Sequence, residues 1–302
     1  MTLTAMILII SSALLLAGWN LISKREYPTS AFFLFALLPD ILLCGVLYII
    51  FPTQFAAIPG KTWQLILASS LMQALYLASL AGAYRAEDVS IMFPVTRALS
   101  IILVTLISLF LRGSGQLSSL ALLGMGLIVA GCVLLPNPTF KHISIRRYFS
   151  KAPGFLLLTA ISTAGYYVLD DMALRILRSS PHITISDIWI TFIYLSLVFA
   201  FTLAWLGLFV VLQKDSRQEI RSILPGKLRG ALSVGISIIL GALAAMLAMA
   251  HVRDVSYVAA FNQVSVVIGL VFAVFFLKEK AHPPKVWGTL AVFAGLVLVG
   301  LG

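Results

Sequence analysis

Residues 117–136 read LSSLALLGMGLIVAGCVLLP, and residues 284–302 read PKVWGTLAVFAGLVLVGLG. The first stretch carries no charge and the second only Lys285, near its start. Each approaches the roughly 20 apolar residues that a helix needs to cross a hydrocarbon core of about 30 Å. Each also holds two glycines seven residues apart, Gly124 and Gly131 in one and Gly288 and Gly295 in the other. Seven residues are two helical turns, so each pair lies on one face, and small residues let helix backbones approach closely. The two motifs stand at an offset of 164 residues. They read as the same helix occurring twice, and the two copies are expected to pack on each other inside one molecule. A dimer interface is the other use of such a face, so a monomer is expected ahead of a dimer.

Outward from these helices the rest of the chain has the same character. Of its 302 residues, 61% are hydrophobic and 11% charged, with a mean hydropathy of +1.05. Soluble domains carry about 25% charged residues, so this chain has too little polar surface to stand in water. Ordinary cytosolic enzymes, nucleic-acid binders and disordered regulators are excluded, and the partner it implies is the lipid bilayer. Charge-free runs and turn residues divide it into ten segments, near 3–22, 30–52, 62–83, 90–111, 117–136, 153–174, 186–212, 228–250, 255–277 and 284–302. Period-two alternation is absent, and the runs are about twice the length of a barrel strand. Only helices or closed barrels cross lipid, so the fold class is an all-α integral membrane protein with ten transmembrane helices. Lys24 is the first charge, so no basic region precedes the first apolar run, and that run is expected to stay in the membrane. Cys44 and Cys132 lie in apolar runs and imply packing, not a disulfide framework.

The repeat extends beyond the glycines. Val89-Ser90 opens segment four after Arg85-Ala86-Glu87-Asp88, and Val255-Ser256 opens segment nine after His251-Val252-Arg253-Asp254, at an offset of 166. Gly18-Trp19-Asn20 aligns with Gly165-Tyr166-Tyr167. The halves are therefore 1–140 and 141–302. Five helices per half is an odd number, so the second half enters the membrane from the opposite side, as in many secondary transporters. Orientation follows from loop charge. Fifteen of the 21 Lys and Arg residues fall in the loops after segments 1, 3, 5, 7 and 9, and five in the loops after segments 2, 4, 6 and 8. The richer side is the cytoplasmic one by the positive-inside rule, which puts both termini outside a plasma (bacterial inner) membrane. The net charge of +10 thus describes loop placement and implies no nucleic acid.

Few polar groups remain inside the apolar runs, and they form the candidate site. A charge at the bilayer centre costs roughly 2.5–3.5 kcal/mol on insertion scales, so a residue that tolerates it faces a cavity or a partner. Asp40 reads as a protonatable coupling site, or else as a carboxyl kept neutral by burial or paired with Arg97. Arg97 offers a planar fork suited to an anionic substrate group, or a structural ion pair with Asp40 or Asp170. Asp170 shares a helix face with Tyr166 and is a candidate for binding substrate or a proton. Asp171 is rotated about 100° away and stands four residues before Arg175, a natural ion-pair spacing. Asn20, Tyr76, Tyr84, Asn262 and Gln263 line a cavity or bond between helices, since buried polar groups need partners. Trp19 and Trp189 read as interfacial anchors, and His142 and His251 as lone loop histidines without metal-ligand spacing. No metal or cofactor is implied.

These residues, in order, resemble the EamA-type members of the drug/metabolite transporter superfamily. The resemblance is carried by Gly18-Trp19-Asn20, by Leu75-Tyr76 through Tyr84-Arg85 to Phe93-Pro94 and Arg97, by Tyr166 to Asp170, by Asp254 to Asn262-Gln263, and by Leu277-Lys278-Glu279-Lys280. It implies ten helices in two inverted repeats, a cavity between the halves and export of small metabolites, and its pattern favours Asp170 over Asp171. The chain departs from it in having Arg112-Gly113-Ser114 where an acidic residue is frequent, and Asn262-Gln263 where an arginine–acid pair is frequent. Many members are assigned cytoplasmic termini, against the charge count here. Gly60-Lys61-Thr62 is a fragment of a phosphate loop, with Phe55 where a glycine would be required. No GxSxG or HExxH motif is present, so no enzyme is expected. The reading is a secondary active exporter of small polar or amphipathic metabolites, amino acids among them, working by alternating access with proton coupling as an option. The rivals are a flippase for a lipid-linked head group and a non-transporting membrane scaffold or sensor.

Overall fold

In a computed structural model the protein is described over residues 2–26, 28–86, 89–112, 117–137, 139–140, 153–213, 216–223, 226–268 and 282–302. The described residues form helices α1 (Leu3–Glu26), α2 (Ser30–Ala36), α3 (Leu38–Ile50), α4 (Pro52–Ala56), α5 (Gly60–Ala86), α6 (Val89–Arg112), α7 (Ser119–Leu134), α8 (Pro153–Ser179), α9 (Asp187–Leu212), α10 (Ser216–Ile223), α11 (Leu228–Ala248), α12 (Val255–Phe261) and α13 (Pro283–Leu301), with no strand among them. Seven helical stretches are long and apolar enough to cross a membrane: Leu3–Ser23, Ser30–Ile50, Gly60–Arg85, Pro94–Leu111, Asp187–Leu212, Leu228–His251 and Pro283–Leu301. Three of the ten expected spans fall short of that description. Helix α7 has 16 residues. Helix α8 is long, but Asp170, Asp171, Arg175 and Arg178 dilute its hydropathy. The ninth segment, expected over 255–277, is described only as far as 268. Lys278-Glu279-Lys280, Gly113-Ser114 and the basic loop with Lys141, His142, Arg146, Arg147 and Lys151 lie outside the described residues.

Local chemistry sets the ends and the bends. Thr29 caps α2 by accepting from the Phe32 N–H at 3.2 Å, Ser118 caps α7 through the Ala121 N–H at 3.0 Å, and Asp254 caps α12 through the Ser256 N–H at 2.8 Å, each satisfying an orphan donor of a first turn. The second segment, expected as one run, is bent into α2 and α3 at Leu37. Pro39 has no N–H to give, and the Asp40 N–H bonds back to the Leu37 carbonyl at 3.0 Å, which tightens the turn. The Ala36 carbonyl at this bend lies so close to Gly235 of α11 that a Cβ there would collide with it.

The three most extensive helix pairings are α1 on α11, α5 on α8, and α7 on α13. The last is built on the four glycines. A Cβ on Gly124 would stand 2.6 Å from the Gly295 carbonyl oxygen, and one on Gly131 would stand 2.5 Å from that of Gly288. The two helices run antiparallel with their backbones in contact. Gly82 of α5 is closed by the Phe155 ring of α8, 2.6 Å from where a Cβ would sit. Large apolar side chains such as Leu42, Ile49, Phe110 and Val211 point outward, a surface that a soluble protein of this size would not tolerate and that a bilayer solvates.

Candidate functional site

A cavity of about 80 Å³ lies inside the helix packing, room for a few waters or a small head group. Its wall takes Ser12, Leu16 and Trp19 from α1, Gln73, Tyr76 and Leu77 from α5, Arg97 from α6, Tyr166, Tyr167 and Asp170 from α8, Phe199 from α9, and Asn262 after α12, with Ile238, Gly241, Ala242, Ala245 and Met246 from α11 and Met249 just after it. A smaller void of about 10 Å³ lies beyond it, among Asn20, Leu80, Thr96, Ser100, Thr159 and Thr163. Tyr76 and Arg97 line both spaces and so form the partition between them.

Asp170 is 1% exposed. Its Oδ1 accepts from the Tyr194 hydroxyl at 2.7 Å and from the Ser69 hydroxyl. Two neutral donors from α9 and α5 therefore hold one carboxyl oxygen, and Oδ2 takes part in neither bond. Of the alternatives for Arg97, an ion pair with Asp170 is not formed; the carboxyl is held by these hydroxyl contacts instead. Arg97 is 6% exposed and lies within electrostatic reach of the hydroxyls of Tyr76, Tyr84, Tyr166 and Tyr167. The tyrosines form an aromatic wall, with Tyr76 edge-on to Tyr166 at 5.7 Å and Tyr166 stacked on Tyr167 at 5.0 Å.

The chain breaks its helix at the polar pair Asn262-Gln263. The Gln263 N–H bonds to the Ala260 carbonyl at 3.1 Å, three residues back, while the Gln263 Nε2 donates to the Ala259 carbonyl at 2.9 Å. The side chain thus takes the acceptor that the regular ladder would have used. Asn262 faces the cavity and donates through Nδ2 to the Tyr167 hydroxyl at 2.8 Å. Its Oδ1 has no hydrogen-bond partner.

The expected site residues are therefore sorted by the fold. Tyr76, Arg97, Tyr166, Asp170 and Asn262 share the main cavity. Asn20 lines the smaller void and accepts from the Tyr84 hydroxyl, while Tyr84 itself lines neither space. Gln263 is turned to its own backbone and lines neither space. Asp40 is away from both, 0% exposed on α3, with no partner on either oxygen. It does not pair with Arg97; Cys44, one turn on, lies beside it and contacts Ser196 of α9. Asp171 makes the ion pair with Arg175 at 3.0 Å. Trp19 is 4% exposed and walls the cavity, so it is not an interfacial anchor, whereas Trp189 is 41% exposed against Phe51 and Phe192. His251 is exposed. Sequence reasoning passed over Ser69, Gln73 and Tyr194. The first two were within reach, since Ser69, Gln73 and Tyr76 fall at spacings of four and three on one face of α5.

Both ends of the packing are tied by polar contacts. At one end Arg85 pairs with Glu219 at 3.4 Å and the Lys227 Nζ donates to the Glu26 carbonyl at 2.6 Å. At the opposite end of α11, Arg175 donates to the Arg253 carbonyl at 3.0 Å and Arg178 to the Met246 carbonyl at 3.1 Å. The cavity between these ties is walled mainly by apolar and aromatic side chains, with Arg97, Asp170, Asn262 and Gln73 as its polar groups of strongest hydrogen-bonding capacity.

Among solved structures, one described only as the crystal structure of a protein superposes with a TM-score of 0.65 over 100% of this chain and 98% of the other, at 16% identity, a likeness that shows the fold alone. No curated protein matches the chain. The family comparison is more specific: residues 150–301, half of the chain, match the EamA-like transporter family. Together with the all-helical fold and its apolar spans, that match makes the chain an integral membrane protein that belongs to the EamA-like transporter family.

Proposed function

We propose that the protein is a secondary active transporter that exports small polar or amphipathic metabolites, amino acids or related compounds among them, by alternating access. The observation that carries the reading is the cavity between the helices, in which Arg97 and Asp170 are the charged groups among the described residues, one from each half of the chain. In this reading ten spans form two inverted halves, 1–140 and 141–302, which rock about the cavity.

The packing supports the inverted arrangement. Exchanging the halves carries α1 onto α8 and α5 onto α11, so the α1–α11 pairing becomes the α8–α5 pairing, and both are prominent. The same exchange carries the contact of Gly124 with Gly295 onto that of Gly288 with Gly131. Antiparallel packing of two repeat-related helices is what opposite entry into the membrane requires.

Proton coupling is assigned to Asp40, whose carboxyl is buried without a partner at a helix bend. The chain works as a monomer, because the glycine faces are used up inside it. The test is counterflow in proteoliposomes with amino acids, sugars and organic cations. At least one probe is expected to exchange, with Asp170→Asn and Arg97→Ala slowing it about tenfold or more. No exchange by any probe in folded, reconstituted protein overturns the reading. Orientation is checked by reporters fused to the C-terminus: an extracytoplasmic terminus gives an active phosphatase and a dark fluorescent protein, and the reverse pattern overturns the placement.

A further inference from the structure

Two acceptor oxygens on buried side chains of the cavity wall stand out because the hydrogen bonds of those side chains go to their other polar atoms. Asn262 is 4% exposed and spends Nδ2 on the Tyr167 hydroxyl, and its Oδ1 has no partner. Asp170 receives both of its hydroxyl donors on Oδ1, from Ser69 and Tyr194, and neither on Oδ2. A buried acceptor in a native fold is normally satisfied, so Asn262 Oδ1 is incomplete as it stands, and Asp170 Oδ2 is the carboxyl oxygen that the two hydroxyls leave available at the cavity. The rings of Tyr166 and Tyr167 lie in the same wall, and aromatic faces carry the negative side of the ring quadrupole.

We propose that this part of the cavity binds a primary ammonium group, with Asp170 Oδ2 and Asn262 Oδ1 accepting its N–H donors and the tyrosine faces covering its remaining side. The assignment rests on the transport reading of the same cavity and names its substrate class as amines with an aromatic or apolar body. An ammonium carries three donors and no acceptor, the complement of what the wall offers. A carboxylate or phosphate head would meet two acceptors and no free donor from these residues. A neutral hydroxyl would satisfy one acceptor and leave the other. Ser69 and Tyr194 act as positioning residues, since their bonds to Oδ1 fix the direction of Oδ2. Arg97 is engaged with its own surroundings and stands at the partition with the smaller void, on a different helix from both acceptors.

The test uses the full chain in lipid nanodiscs. Its fluorescence, to which Trp19 in the cavity wall contributes, is titrated with phenethylamine, 2-phenylethanol and 3-phenylpropionate. Phenethylamine is expected to bind about tenfold or more tightly than either analogue, a charge-assisted bond being roughly twice as strong as a neutral one. Asp170→Asn and Asn262→Leu are each expected to weaken amine binding by about tenfold or more, while Asn262→Asp retains it. Should Asp170→Asn fail to fold, the contrast between Asn262→Leu and Asn262→Asp decides. Equal binding of amine and alcohol, preference for the carboxylate, or indifference to Asn262→Leu overturns the assignment. Flux separates the two readings. Exchange of probes without regard to an amino group leaves transport standing and removes the ammonium site. Selective amine binding with no flux of any probe keeps the site and removes transport.

Discussion

Asp40 and Asp170 are both carboxyls buried in apolar helices, and their surroundings differ in kind. Asp170 has two hydroxyl donors on one oxygen, whereas Asp40 has none on either. An unpartnered polar group is costly to keep in a dry interior, which suits Asp40 to a step in which its charge changes and Asp170 to a fixed role in recognition. If Asp40 is the coupling group, Asp40→Asn leaves exchange intact and removes its acceleration by a pH gradient. The ratio of efflux with and without the gradient is then near one, and an unchanged ratio sinks the coupling role. Around Asp170 the removal of a donor leaves a charged acceptor short of a bond, which costs about 1–3 kcal/mol. Ser69→Ala and Tyr194→Phe are each expected to lower the thermal midpoint by that equivalent. The double variant should lose more than the sum, because both donors share one oxygen and each partly compensates for loss of the other. Two unchanged melts would show that the bonds do not orient the carboxyl. The charges themselves were legible in the sequence, since a charge inside an apolar run stands out unaided. The donors were legible in part. Ser69 follows the polar spacing of α5, but nothing near Tyr194 in the chain connects it with Asp170, because α9 meets α8 only through the fold.

At the scale of the element, the sequence located the helices well and their interruptions poorly. Pro39 gave warning of the bend between α2 and α3. The break at Asn262-Gln263 contains neither proline nor glycine; it arises because the Gln263 amide and the Ser265 hydroxyl, which donates to the Asn262 carbonyl at 2.8 Å, compete with the helical ladder. Such competition depends on which rotamer the packing admits, and a sequence does not state rotamers. The glycine motifs were the opposite case, since their spacing alone gave a face and their repetition gave a partner. Gly131→Leu would drive a side chain into the Gly288 carbonyl, already 2.5 Å from an added Cβ, and into Val292 at 2.8 Å. Backbone cannot rotate out of the way, so α7 and α13 must separate, at more than the 1–3 kcal/mol of ordinary overpacking. Loss of folded monomer is expected on size-exclusion chromatography. Gly126→Ala provides the contrast within α7, because a Cβ there meets nothing within 4 Å. It is expected to be neutral or to stabilise by up to about 1 kcal/mol through helix propensity. Equal effects of the two substitutions would remove the close-packing account.

In the whole molecule the pairing of helices was the hardest feature to foresee. The sequence offers an internal offset and a count of spans, but the lipid-facing and protein-facing sides of a membrane helix are both apolar, so polarity does not say which helix meets which. What the fold adds is the set of cross-half pairings and the polar ties at the two ends of the packing, and those ties are unequal. The Arg85–Glu219 pair is open to solvent, with side-chain exposures of 46% and 21%, and exposed pairs contribute about 0–1 kcal/mol. At the other end Arg175 bonds the Arg253 carbonyl across to the segment before α12 at 3.0 Å, its guanidinium held in place by Asp171 one turn back on the same helix. The bond that crosses between elements here is one from a charged donor, and such bonds contribute about 1.5–3 kcal/mol. In the proposed alternating access each end opens in turn, and a ligand or mutation shifts such an equilibrium only by its differential free energy between the states. Arg175→Ala is therefore expected to raise cysteine accessibility near Arg253 by about tenfold, whereas Arg85→Ala raises it near Glu219 by a factor of about five or less. The labelling is done with Cys44 and Cys132 replaced and single cysteines introduced at exposed positions at each end. Equal opening by the two variants, or a larger effect from Arg85→Ala, would mean that these ties do not set which end of the transporter stays closed.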